Sequence, residues 1–106
     1  MATGRLGTLD MSAATYQTLY TCPANTFTVL TVNIVNRGAS TATVRVAIAS
    51  AATPTNAEFI EYDVNLLAKG VLERTGLVLD AGKLIVVYSN TASLSASCYG
   101  IETSTA

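Results

Sequence analysis

Histidine, the residue most used for general acid–base work and for binding transition metals, does not occur in this chain. What remains for chemistry is a wealth of Ser and Thr hydroxyls, the thiols Cys22 and Cys98, two lysines at 69 and 83, and one acidic cluster, Glu58, Glu61 and Asp63. A hydroxyl nucleophile without histidine needs a lysine base held in a desolvated pocket. Lys69 and Lys83 each stand beside a glycine in turn-like sequence, where a lysine is solvated, so neither is expected to serve. At the two-residue period of a strand, Glu61 and Asp63 fall on one face with Phe59, and Glu58 falls on the other. Such a strand does not by itself converge the several oxygens that calcium requires. Water, Arg45 or Arg74 are the expected partners of these carboxylates.

The two thiols cannot complete a zinc tetrahedron without histidine. Inert packing as small apolar groups is expected for both, with an intramolecular disulfide as the alternative. Gly4-Arg5-Leu6-Gly7 lacks the preceding strand and following helix of a phosphate-binding loop. Of the five tyrosines, Tyr16, Tyr20 and Tyr88 suit core edges or contact surfaces. A tyrosine-lined sugar site would lack the usual tryptophan platform. No catalytic residue, cofactor or metal is therefore expected.

The elements that must position these groups read almost entirely as short strands. Tyr16 to Thr21 alternates and stops at Cys22-Pro23, because proline has no ladder donor. Thr26 to Val35 is rich in β-branched residues, with Leu30, Val32 and Ile34 on the core face and Phe27, Val29, Thr31, Asn33 and Val35 opposite. In Thr43 to Ala49, Val44, Val46 and Ile48 face in. Glu58 to Asp63 follows the longest loop-like stretch. Val71 to Leu79 is broken by Gly76, which predicts a bulge or a strand changing sheets. Leu84 to Tyr88 has the apolar content of a central strand, and Leu94 to Ile101 is the last. Asn36-Arg37-Gly38, Ala68-Lys69-Gly70, Asp80-Ala81-Gly82-Lys83 and Ser89-Asn90-Thr91-Ala92 supply the turns, glycine giving access to positive φ.

Seven or eight short strands at this spacing predict an all-β fold. It is a single two-sheet β-sandwich, Ig-like or jelly-roll-like, with a closed barrel as the alternative because periodicity does not fix strand order. The expected division is an N-terminal arm over residues 1–14 and a sandwich over residues 15–106. The 106 residues suit one small domain. Half of them are hydrophobic and 12% are charged, about half the usual charged fraction, which excludes a disordered chain. Six Lys and Arg against seven Asp and Glu, with no basic run, argue against an electrostatically driven nucleic-acid binder. Leu84-Ile85-Val86-Val87, the longest aliphatic run, is too short to cross a bilayer, and the first residues lack a signal-peptide core. Synthesis in a cytoplasm, with no membrane partner, is the expectation.

The outer faces of a small sandwich are usually coated with Lys and Glu. Here those positions fall mostly to Thr, Ser and Ala, which are cheaper to desolvate than ions and suit packing against neighbouring subunits. Leu6, Leu9 and Met11 would be exposed on a free arm, so the arm is expected to be held by a neighbouring molecule or to dock along the sandwich edge. Arg5, Arg37 and Arg74 join them as interface candidates, since the guanidinium fork binds carboxylates and carbonyls bidentately, although solvated or cross-strand roles compete for them.

Val32-Asn33-Ile34-Val35-Asn36-Arg37-Gly38 and Val44-Arg45-Val46-Ala47-Ile48-Ala49, then Pro54 to Asp63, Gly70 to Gly76 and Ala81-Gly82-Lys83 before Leu84 to Tyr88, resemble small all-β structural proteins of tailed bacteriophages. The similarity covers nearly the whole chain. It implies a non-enzymatic virion protein, first of all a capsid decoration or cement subunit that adds buried area across capsomer junctions. A tail, collar or fibre-associated protein and a host-glycan binding module are the alternatives. The implied partners are copies of itself, as a trimer or another homo-oligomer, and the major capsid protein or another virion protein. The resemblance carries over no catalytic or ligand residue.

Overall fold

The computed structural model describes residues 2–106. Two antiparallel four-stranded sheets form a β-sandwich. The strands are β1 (Thr3–Met11), β2 (Gln17–Thr21), β3 (Thr26–Asn36), β4 (Ala42–Ala49), β5 (Phe59–Leu66), β6 (Val71–Leu79), β7 (Leu84–Ser89) and β8 (Leu94–Ser104), with one 3-10 turn over Asn56–Glu58. One sheet has the order β1-β8-β3-β6 and the other β2-β7-β4-β5. The pairings nest: β4 with β5, β3 with β6, β2 with β7, and β1 with β8. That nested order is the jelly-roll solution of the two topologies expected from the sequence.

Alternation builds the core as expected. Leu30, Val32 and Ile34 of β3 pack with Val44 and Val46 of β4, Ile85 and Val87 of β7, and Leu94, Ala96 and Cys98 of β8. Each fully buried aliphatic side chain contributes about 1.5–3 kcal/mol relative to leaving it in water. Gly76, at φ +69°, sits where the β3–β6 register shifts, so the predicted bulge is present. It changes the phase of β6, and Leu77 and Leu79 therefore turn inward after Leu72 and Arg74. Gly38, by contrast, has no positive φ; its amide donates to the Asn36 side-chain oxygen.

The first residues differ from the sequence expectation. The stretch read as an arm over residues 1–14 contains β1, an edge strand paired along its whole length with β8. Of the two fates expected for it, docking along the sandwich edge is the one observed. Met11 is only 2% exposed, and Leu6 and Leu9 pack against the same core. Gly7 makes this approach feasible, since a Cβ there would lie 2.4 Å from the Leu19 carbonyl oxygen of β2. One edge of the sandwich closes through that contact.

The opposite edge closes through an ion pair. Arg74 of β6 donates to Glu61 of β5 at 2.7 Å and to the Ile60 carbonyl at 3.3 Å. Two register shifts in β5 break the alternation expected there, and Glu61 comes to oppose buried Val46. Asp63, at φ +51°, stays outside. Glu61 and Asp63 thus do not share a face, and each finds one of the arginines expected for it. Glu58 is spent locally, accepting from the Thr55 and Ser50 amides.

Buried polar groups are partnered. Asn36 donates to the Ser40 and Leu66 carbonyls, tying the β3–β4 connection to the end of β5. The Tyr20 hydroxyl meets Glu102 and Thr28, and Thr28 meets the Cys22 thiol at 3.3 Å. Burial, then Glu102, pushes the Tyr20 phenol far up, while Tyr20 and the Ala2 amide hold Glu102 below the usual carboxylate range. Cys22 and Cys98 are both buried and unpaired, and burial pushes the Cys98 thiol up to about 11.

Candidate functional site

The two outer faces of the sandwich are the broadest surfaces of the chain. On the β2-β7-β4-β5 sheet, Ala47 and Ala49 of β4 and Val86 of β7 point outward and are nevertheless fully buried. Tyr16, Phe59 and Leu84 cover them. The Arg45 guanidinium lies 4.2 Å from the Tyr62 ring centroid and 4.6 Å from that of Tyr88. It also donates to Asp63 at 2.6 Å and to the Tyr16 hydroxyl at 2.7 Å. Tyr16 packs on Tyr88 at 4.9 Å and Phe59 meets Tyr62 edge-on at 5.0 Å. Asp63 is held below the usual carboxylate range by the Arg45 hydrogen bond. This cluster satisfies its own charges and roofs its own apolar floor.

The other face has no roof among the described residues. Its register can be laid out in rows from β6 across β3 and β8 to β1. Val78, Val29, Ile101 and Thr3 form one row, and Phe27 stands beside it on β3. Val78 is 61% exposed, Ile101 55% and Val29 43%. The next row carries Thr31, Tyr99 and Arg5, and the one after it Glu73, Asn33, Ser97 and Thr8. The Tyr99 hydroxyl donates to Glu73 across β3. A contiguous exposed apolar band with a polar and charged margin is the usual anatomy of a protein–protein contact surface.

Hydroxyls were expected to dominate both outer faces, and they do not dominate this one. Thr3, Thr8, Thr31, Ser95, Ser97 and Thr103 are present, but Phe27, Val29, Val78, Tyr99 and Ile101 stand among them. Among the six interface candidates, only Arg5 lies on this face, opposite Tyr99. Leu6, Leu9 and Met11 belong to the core side, because β1 is a strand rather than an arm. Arg37 is exposed but pairs with Asp10, and its carbonyl accepts from Lys69 at 2.7 Å. Arg74 is consumed by the inter-sheet pair with Glu61. Val29, Val78 and Ile101 were missed because their meeting depends on the register between distant strands. The placement of Phe27 and Val29 opposite the core face was the available signal.

Among the described residues no three His, Cys, Asp or Glu side chains gather as metal ligands, and no helix is long and apolar enough to cross a membrane. No protein family, curated protein or solved structure matches the chain.

Proposed function

We propose that the chain is a non-enzymatic structural subunit of a tailed-phage particle, acting first of all as a capsid decoration or cement protein. The observation that carries the adhesive part of this reading is the exposed row Val78–Val29–Ile101 with Phe27 and Tyr99 beside it. The phage setting rests on the sequence resemblance. Jelly rolls are common in viral capsid and lectin domains, which agrees with the reading at the level of architecture alone. Mechanically, each copy adds buried area across a junction between shell subunits, and repetition over the shell converts modest contacts into strong retention by avidity.

The test is binding of the purified chain to phage particles that lack it. Retention on emptied heads in many copies per particle is the expected result. Retention in a handful of copies at the tail moves the protein to a tail or collar. Hits on a glycan array without any particle retention replace the reading with sugar binding.

A further inference from the structure

The β1-β8-β3-β6 face is chemically matched to itself, and we infer that its first occupant is the same face of a second copy. A two-fold axis in the plane of contact can run across the strands or along them. An axis across the strands, through the Tyr99 row, lays Arg5 over Arg5 of the other copy and the valine–isoleucine row over the polar Asn33–Ser97 row. Like charges meet and apolar surface stays mismatched, and moving that axis to the valine–isoleucine row keeps β1 over β1, so Arg5 never meets Glu73; crosswise axes are therefore the poorer match.

An axis along the strands, between β3 and β8, does the reverse. Each row then faces the same row of the second copy, with β3 over β8 and β6 over β1. Val29 lies over Ile101, Ile101 over Val29, and Phe27 over Thr103. Arg5, at the β1 edge, comes within one row of Glu73 at the β6 edge of the other copy. One row is about 7 Å and facing sheets lie about 10 Å apart, so the two backbones stand about 12 Å apart, a gap that the arginine and glutamate side chains cross together. Isologous contacts require this kind of self-complementarity.

The size is adequate. Four strands about 4.8 Å apart, over the length from Phe27 to Val35, present about 600 Å² per copy. The pair therefore buries about 1,200 Å², the lower limit for a specific and stable interface. Aligned sheet-on-sheet packing is a standard geometry for two such faces. Of the trimer or other homo-oligomer anticipated from sequence the pair takes the second option, and it deepens the adhesive reading above, on which it rests, by naming the face and the geometry.

Sedimentation equilibrium over a concentration series tests it, with thermal melting of each variant as the fold control. The expected result is a reversible doubling of mass. Ile101→Glu and Val29→Glu, both at solvent-facing positions, are expected to weaken pairing about tenfold or more while melting as the parent does at concentrations too dilute for pairing. Arg5→Glu and Glu73→Arg each weaken it several-fold, and the two together restore it. A single-copy mass at every concentration overturns the inference, as does a trimer. So does a dimer indifferent to Ile101→Glu, or one that the paired charge swap fails to rescue. Failure here and failure of the proposed function separate cleanly. A chain that stays single but binds particles loses only the pairing, and one that pairs but ignores particles loses only the virion role.

Discussion

On the β2-β7-β4-β5 sheet, outward Ala47, Ala49 and Val86 lie under Tyr16, Phe59 and Leu84, with Arg45 clasped by two tyrosine rings and Asp63. On the β1-β8-β3-β6 sheet, outward Val29, Val78 and Ile101 are 43–61% exposed. Both faces expose apolar positions at the period of a strand, yet only one supplies its own cover. The difference lies in local chain path. Small alanines leave space above β4, and the segment entering β2 and the displaced start of β5 bring aromatic rings into it. Among the described residues no comparable segment crosses β3 and β8. An apolar outward residue marks a contact surface only where its own chain has not already filled the space above it.

The sharpest way to break this contrast is to strip the covered face. Phe59→Ala is expected to destabilise folding by about 2–3 kcal/mol, below the cost of a fully buried phenylalanine because the ring is only partly enclosed. Chemical denaturation measures it. Ala47→Leu tests the floor rather than the roof, and forcing extra methylenes under the rings costs about 1–3 kcal/mol. Its near-ultraviolet circular dichroism should change with the displaced tyrosines. A smaller effect is expected from Arg45→Met, which keeps the stem and removes the guanidinium from the two rings, at about 1 kcal/mol.

That last variant also carries a pH signature. The carboxyl of Asp63 titrates below its ordinary range in the folded chain because Arg45 donates to it. Its contribution is therefore present above the ordinary aspartate range and is lost as pH falls through the depressed folded value. Melting temperature against pH should fall more steeply on the acid side for the parent than for Arg45→Met. Least of all should follow from Ile101→Thr on the uncovered face, within about 0.5 kcal/mol of the parent in folding when both are measured too dilute for pairing. Should Ile101→Thr unfold the chain, or Phe59→Ala leave it untouched, the two faces would not differ as described.

Much of the fold was legible because β3 alternates throughout, β4 alternates as far as Val46, β7 is a continuous apolar run, and turn residues bound all three. The Gly76 bulge was legible too, since a glycine inside a branched run has few other uses. β1 was not. Its Gly4 and Gly7 depress strand propensity, and it is a strand because β8, at the far end of the chain, offers it a ladder. Tertiary pairing overrode local preference, and with it Leu6, Leu9 and Met11 moved from contact candidates to core. In β5 the two register shifts separated Glu61 from Asp63. The Arg45 cluster escaped notice because Tyr88 reaches Arg45 only through the β4–β7 register. Periodicity assigns faces within a strand; it carries no information about which distant strand lies alongside.

The nested strand order also governs the tempo at which the molecule comes together. Of these eight strands β1 leaves the ribosome before the others, yet it waits for β8, which follows the other seven. Loop-closure entropy rises by only about 0.6 kcal/mol for each doubling of length, so the wait is a matter of rate far more than of final stability. During it, Leu9 and Met11 stand open to other nascent chains, and high expression at elevated temperature is when inclusion bodies should form.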